Sequence, residues 1–307
     1  MNDRSRRQFL KSAALVPMMI QGMKEGVFAM GRKLPPLSFS TLGCPDWSFD
    51  KILDFAQANG YQGIEVRGVS REMDLPKSPV FSGPAAISET LGKMKAKGLR
   101  FVDLGSSCEL HHAEEAVRVK HLDEGKRFID LAQQIHCPFV RVFPNKFVKD
   151  EDQRVTINRI SKGLLELGTH AEGTDVTVLL ETHGDFSASK HVEAVMGAVD
   201  SKHVGLVWDV VNMWSVTKEP VGEVYGKLKK WIRHTHIKDL KWEGDKERYV
   251  FLGKGQTPIF EAIDLLYKNG YKGFYSFEWE KMWHPDIEEP EVALADYPVA
   301  MRTHFAN

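Results

Sequence analysis

The 307-residue sequence predicts an α/β protein built as one (β/α)8 TIM barrel. Three observations carry this expectation. Short apolar, β-branched runs alternate with amphipathic stretches through most of the chain. Eight such runs can be counted, beginning near residues 37, 63, 99, 138, 176, 204, 232 and 273. The phrase Asn-Gly-Tyr-x-Gly occurs twice, at 59–63 and 269–273, each time between an amphipathic and an apolar stretch. An open doubly wound sheet is the alternative. No G-x-G-x-x-G follows the first strand, which weakens a dinucleotide-binding reading.

The elements follow in order. LSFSTLG (37–43) reads as the first strand, and Ser48 is placed to cap a helix from about Phe49. Ile52, Leu53 and Ala56 give that helix its apolar face. NGYQGIEVRG (59–68) ends the helix and opens the second strand, with Gly60 suited to a left-handed cap; Gly270 is placed likewise in the later copy. KGLRFVDLG (97–105), CPFVRVF (137–143), DVTVLLET (175–182), HVGLVWDV (203–210) and WIRHTHIKD (231–239) supply the next five strands. NGYKGFYSFEWE (269–280) supplies the eighth. Helical patterns lie at 121–136, 153–172, 189–199 and 258–269. Two long polar loops, near 69–86 and 239–257, follow strands two and seven and belong to the face where barrel strands end. The stretch 280–297 reads either as an ordered tail beside that face or as surface helix and loop.

Composition excludes some classes. The chain holds 41 basic and 42 acidic residues, without the basic excess of a general nucleic-acid binder. Its three cysteines, Cys44, Cys108 and Cys137, are too few for a disulfide scaffold and are expected to be buried thiols. Residues 1–30 stand apart from the barrel at 31–307. They contain SRRQFLK, with Arg6 and Arg7, ahead of the short apolar run SAALVPMMI, which is too short to span a bilayer comfortably. This resembles a Tat export signal, cleaved near Ala29. The resemblance implies a periplasmic or exported protein with no stable membrane association after cleavage.

Function is expected where barrel strands end. The fifth strand delivers Glu181, the sixth Asp209, the seventh His236 and the eighth Glu278. Three converging carboxylates repel one another unless a cation joins them. Three oxygens and one imidazole suit a divalent ion, with Mn2+ favoured and Zn2+, Mg2+ or Co2+ as alternatives. Strand alternation puts His183 on the face of Glu181, and Lys238 on that of His236. Lys238 is placed either to stabilise an enolate oxygen or to pair with Asp239. Arg141 is expected to cross the barrel and pair with an interior carboxylate. His111 and His112 follow the third strand, and one of them is expected to reach the pocket. Glu280 competes with Glu278 for the eighth-strand role; Glu278 directly follows the apolar run FYSF.

The stretches CPDWSFDKILDFAQANGYQGIEVRG, LLETHGDF, GLVWDVVN, HTHIKD and GKGQTPIFEAIDLLYKNGYKGFYSFEWE together resemble the sugar phosphate isomerase/epimerase family of xylose-isomerase-like barrels. The resemblance implies metal ligands at Glu181, Asp209, His236 and Glu278, with Glu181 and Glu278 also acting as acid and base. It implies a metal-dependent isomerase or epimerase of a sugar or keto-sugar, abstracting a proton α to a carbonyl through a metal-held enediolate. The same start followed by loss of a β-leaving group would make it a lyase or dehydratase, for instance of a 3-keto-glycoside. A non-enzymatic sugar-binding module and an AP endonuclease rank lower. The endonucleases of this group carry a histidine three residues after the metal aspartate, where this chain has Asn212. Substrate contacts are expected from Glu65, His183, Asn212 and Lys238, and from Trp47 stacking on a sugar face. The expected partner is a small carbohydrate, not nucleic acid. If Arg6 and Arg7 are both changed to Lys, export should fail; finding mature protein in a periplasmic fraction would refute a Tat signal.

Overall fold

The computed structural model describes residues 32–306, so the expected export signal lies outside the described residues. In chain order the strands are β1 (Leu37–Ser40), β2 (Gly63–Val66), β3 (Arg100–Glu109), β4 (Phe139–Phe143), β5 (Thr177–Glu181), β6 (Val204–Asp209), β7 (Ile232–Ile237), β8 (Asp239–Glu243), β9 (Lys246–Val250) and β10 (Tyr275–Phe277). Strands β8 and β9 pair only with each other, as an antiparallel hairpin. The other eight form a closed barrel in sequence order, with β10 returning to β1 and every pair parallel. All eight expected barrel strands are present.

The helices are α1 (Phe49–Ala58), α2 (Pro84–Ala96), α3 (Glu115–Gln134), α4 (Gln153–His170), α5 (Ser189–Gly197), α6 (Val210–Thr217), α7 (Val221–Leu228), α8 (Ile259–Lys268) and α9 (Pro290–Ala306). Ser48 caps α1 by accepting from the Lys51 N–H. Gly60 and Gly270 hold φ of 78° and 77°, the left-handed region expected of them. Each helix turns one apolar stripe to the strands: Ile160, Leu164 and Leu167 of α4, or Leu122, Phe128 and Ile129 of α3, are buried. Burial of such a side chain stabilises by roughly 1.5–3 kcal/mol. The three cysteines are free and buried, as expected. No helix among the described residues is long and apolar enough to cross a membrane.

The sequence reading falls short in three places. Helix α2 went unassigned because its apolar stripe is weak, with only Ile87, Thr90 and Met94 buried. Helices α6 and α7, between strands six and seven, have no counterpart among the helical patterns of the sequence. The loop after the seventh strand is a hairpin, turned at Gly244 with φ 66°. The tail satisfies both of its readings: Trp283 and His284 reach the barrel mouth, and α9 packs below. Tyr297 of α9 stacks on Phe277, centroids 4.6 Å apart, and its hydroxyl donates to the Tyr275 carbonyl at 3.0 Å.

One carboxylate ties the base of the hairpin to the loop that follows it. Asp239 accepts from the N–H groups of Gly253 and Gly255, both at 2.9 Å, and from the Thr257 hydroxyl at 2.6 Å. Asp239→Ala would leave these donors unsatisfied. A loss of roughly 2–4 kcal/mol is expected, since each stranded group costs about 1–3 kcal/mol. Urea unfolding measures it; an unchanged midpoint would contradict this role.

Candidate functional site

Four side chains meet where adjacent strands end. Glu181 closes β5, Asp209 closes β6, His236 lies in β7, and Glu278 follows β10 directly. The parallel register sets their heights: Asp209 is level with His236, and His236 with Ser276. From His236 Nδ1 the distances are 3.3 Å to Glu278 Oε2, 3.5 Å to Glu181 Oε1 and 3.8 Å to Asp209 Oδ2. All four residues are buried, and their donor atoms lie within 4.8 Å of one another.

This donor set fits a divalent ion. Ligand atoms about 2.1 Å from a tetrahedral ion lie about 3.4 Å apart, close to these spacings. Both ring nitrogens of His236 are buried without a hydrogen-bond partner, and Nδ1 is the one that faces the three carboxylates. The electrostatics also call for positive charge. Burial works against a charged imidazole, but Glu278, Glu65 and Glu181 outweigh it and hold His236 well above its usual range. The same contest holds Lys238 well above its usual range, with Asp209, Glu278 and Glu280 overcoming burial. Buried carboxylates draw a cation from whatever source is near.

The Lys238 ammonium lies 2.8 Å from Asp209 Oδ2, 2.7 Å from Glu278 Oε2 and 2.7 Å from Glu280 Oε1. Asp239, the partner weighed for it, is instead occupied with the loop after the hairpin. Glu280 therefore joins the site through Lys238, while Glu278 is the member of the four-residue set. Arg141 crosses the interior as expected: its Nε is 3.0 Å from Glu181 Oε2, and Nη1 donates to the Ser106 carbonyl at 2.8 Å. Asn212 Nδ2 donates to Glu181 Oε1 at 3.3 Å.

Two expected substrate contacts are corrected. Glu65 is fully buried behind the site, not in the pocket. One of its oxygens faces His236 Nε2 at 3.2 Å; the other accepts from Ser276 Oγ and meets His234 Nε2, both at 2.9 Å. It orients the imidazole so that Nδ1 points at the carboxylates. β2 is short and its closing residues are sealed on both faces, which strand alternation alone does not reveal. Trp47 also misses the pocket. Its ring packs on Phe55 at 4.9 Å, with Lys51 Nζ 4.2 Å from the ring centre, because α1 starts beside it.

A cavity of about 370 Å³ is lined by two of the four residues, Glu181 and Glu278. His183, Asn212 and Lys238 line it, as do Arg67, Arg141, Asn145, Tyr249, Trp283 and His284. Neither His111 nor His112 lines it. They cluster with Glu109 at the rim, His112 Nε2 lying 3.1 Å from the Glu109 carboxylate. Arg67, Tyr249 and Trp283 went unread. Arg67 sits two residues beyond Glu65, a legible signal, whereas Tyr249 depends on the hairpin and Trp283, 55% exposed, on how the tail folds back.

The barrel and its strand-end site define a class, and the comparisons agree. The family model described as xylose isomerase-like TIM barrel matches residues 53–297, and the chain belongs to that family. The 3-dehydroshikimate dehydratase of Bacillus anthracis is 23% identical over 231 residues, covering 70% of this chain and 78% of that protein. The apo structure of 3-keto-D-glucoside 4-epimerase from E. coli matches with TM-score 0.69 and 14% identity, over 88% of this chain and 99% of that one. A xylose isomerase-like barrel protein from Mycobacterium smegmatis, in complex with magnesium, matches with TM-score 0.67 and 18% identity, over 89% and 97%. Two of these three carry a named activity, one an epimerase and one a dehydratase.

Purified protein is expected to carry about one divalent ion at this set, because four convergent ligands make one site. Glu181→Gln and His236→Ala should each lose it by elemental analysis. Three tightly held zinc ions would contradict a single centre.

Proposed function

We propose that this chain is a divalent-metal-dependent isomerase or epimerase that moves a proton α to the carbonyl of a small sugar or keto-sugar. One observation carries the proposal: Glu181 and Glu278, on separate strands, face one cavity and one imidazole from two sides. Glu181, Asp209, His236 and Glu278 would hold the ion, Mn2+ by preference; the magnesium bound by a barrel neighbour supports a hard divalent cation. Bound there, the ion supplies Lewis-acid polarisation of a carbonyl.

The residues supply the rest. Glu181 and Glu278 both sit below the usual carboxylate range. For each, burial opposes the shift, and His236 leads the charges that overcome it, joined by Arg141 for Glu181 and by Lys238 for Glu278. Both are therefore ionised and able to accept a proton at neutral pH. One removes the α-proton, and the other returns a proton to the opposite face. Glu280 can hold a proton in reserve: burial pushes its carboxyl up to about 7, and Lys238 links it to Glu278. His183 and Asn212 are set to contact substrate hydroxyls. Tyr249 and Trp283 wall the cavity and limit water.

The similarity to a dehydratase supports a second reading, a lyase. It shares the proton abstraction and then expels a group β to the carbonyl. The expected signal supports action outside the cytoplasm, where glycosides or their 3-keto forms would be met.

The test uses Glu181→Gln and Glu278→Gln proteins restored to full occupancy at high Mn2+. Each should lose roughly 10²- to 10⁴-fold in turnover, the usual contribution of a positioned proton transfer. Exchange of the α-proton in D2O, followed by NMR, separates the roles, because removal needs only one base. Parent-rate turnover in both loaded variants would disprove the two-glutamate mechanism and turn attention to His183 or Lys238.

A further inference from the structure

Three Lys and Arg side chains line the cavity: Arg67, Arg141 and Lys238. Arg141 pairs with Glu181, and Lys238 with Asp209, Glu278 and Glu280. The remaining cavity carboxylate, Glu109, pairs with His112. Arg67 enters none of the ion pairs among the described residues, although it is only 6% exposed. Its contacts are neutral: Nη2 donates to Ser107 Oγ at 3.0 Å, and Nη1 to the Gly105 carbonyl at a long 3.4 Å.

A second guanidinium runs close beside it. A Cβ on Gly105 would lie 2.6 Å from Arg67 Cδ and 2.8 Å from Arg141 Nη2. Two guanidinium-bearing chains thus pass over one glycine, and only one has a carboxylate. A buried, unpaired guanidinium beside another cation is costly. Glu124, Glu181 and Glu278 attract Arg67 without pairing with it, and Glu124 is spent on the Ser107 N–H; the fork of Arg67 is therefore left for an anion that comes with the ligand. The geometry points to an anionic substrate: we propose that Arg67 binds a carboxylate on the sugar or keto-sugar, making the substrate an acid. A single planar fork matches one carboxylate in a bidentate pair, whereas a phosphate dianion would be only half compensated.

This inference rests on the α-proton chemistry proposed above, and binding separates the two. Calorimetry on Mg2+-loaded protein would compare shikimate with its methyl ester, a pair that lacks a ketone and cannot react. It would also compare D-fructuronate with D-fructose. The acid of at least one pair is expected to bind on the order of 10- to 100-fold more tightly, the worth of a charge-assisted hydrogen bond. In Arg67→Met the acid and its neutral partner should bind alike, with bound metal unchanged. If neither acid exceeds its neutral partner, or if the preference survives in Arg67→Met, the inference is overturned. Tighter binding of D-fructose 6-phosphate than of either acid would also overturn it, in favour of a phosphate. α-Proton exchange is followed in parallel. Exchange on neutral ketoses with no acid preference leaves the enolate chemistry and removes the anion site. Acid preference without exchange on any ketose does the reverse.

Discussion

The burial of negative charge at the barrel mouth is the constraint on which the site depends. Glu181, Asp209 and Glu278 are almost wholly removed from water, with Glu65 behind them and Glu280 beside them. No carboxylate is stable in such a place without positive charge or donors around it. Arg141, Lys238 and His236 provide part of that charge from the protein. The arrangement turns His236 Nδ1 toward three carboxylate oxygens at 3.3, 3.5 and 3.8 Å, spacings that suit a shared cation.

The same constraint organises what lies behind. His236 turns Nδ1 toward the carboxylates while Glu65 Oε1 faces its other nitrogen at 3.2 Å. Glu65 in turn depends on His234, from the strand of His236, and on Ser276 of β10. Arg141 spans from β4 to Glu181 and to the carbonyl of Ser106. These contacts link β2, β3, β4, β5, β7 and β10 through polar groups inside the barrel. A change in one strand end is therefore expected to be felt at several others, and deletions here will not add.

The fold was legible because parallel strands covered by helices are apolar on both faces, and their runs stand out from the amphipathic helices. VGLVWDVVN illustrates how the site became legible too: a carboxylate in such a run has to be explained. What escaped depends on three-dimensional closure. Glu65 comes one residue before the end of β2, much as Glu181 ends β5, yet it sits beneath the imidazole, and spacing along the chain cannot distinguish the two depths. Trp47 follows β1 at a height that suits a pocket wall, but α1 begins beside it and takes the ring. Tyr249 reaches the site only because β8 and β9 fold back on each other, and Asp239 fixes that return from fourteen or more residues away.

The turn DVVN carries a last consequence. Asp209 is both the end of β6 and the cap of α6, its Oδ1 accepting the Asn212 N–H at 2.8 Å. That bond fixes the carboxylate and leaves Oδ2 aimed at Lys238 and His236. The Asn212 side chain then reaches back to Glu181 Oε1. An imidazole at this position would offer a ring nitrogen to a further ion; an amide is a poor ligand for transition metals and spends its N–H on a carboxylate already in the set. Two residues at one strand-to-helix turn thus favour a centre of one ion. They also place a neutral amide at the edge of the cavity.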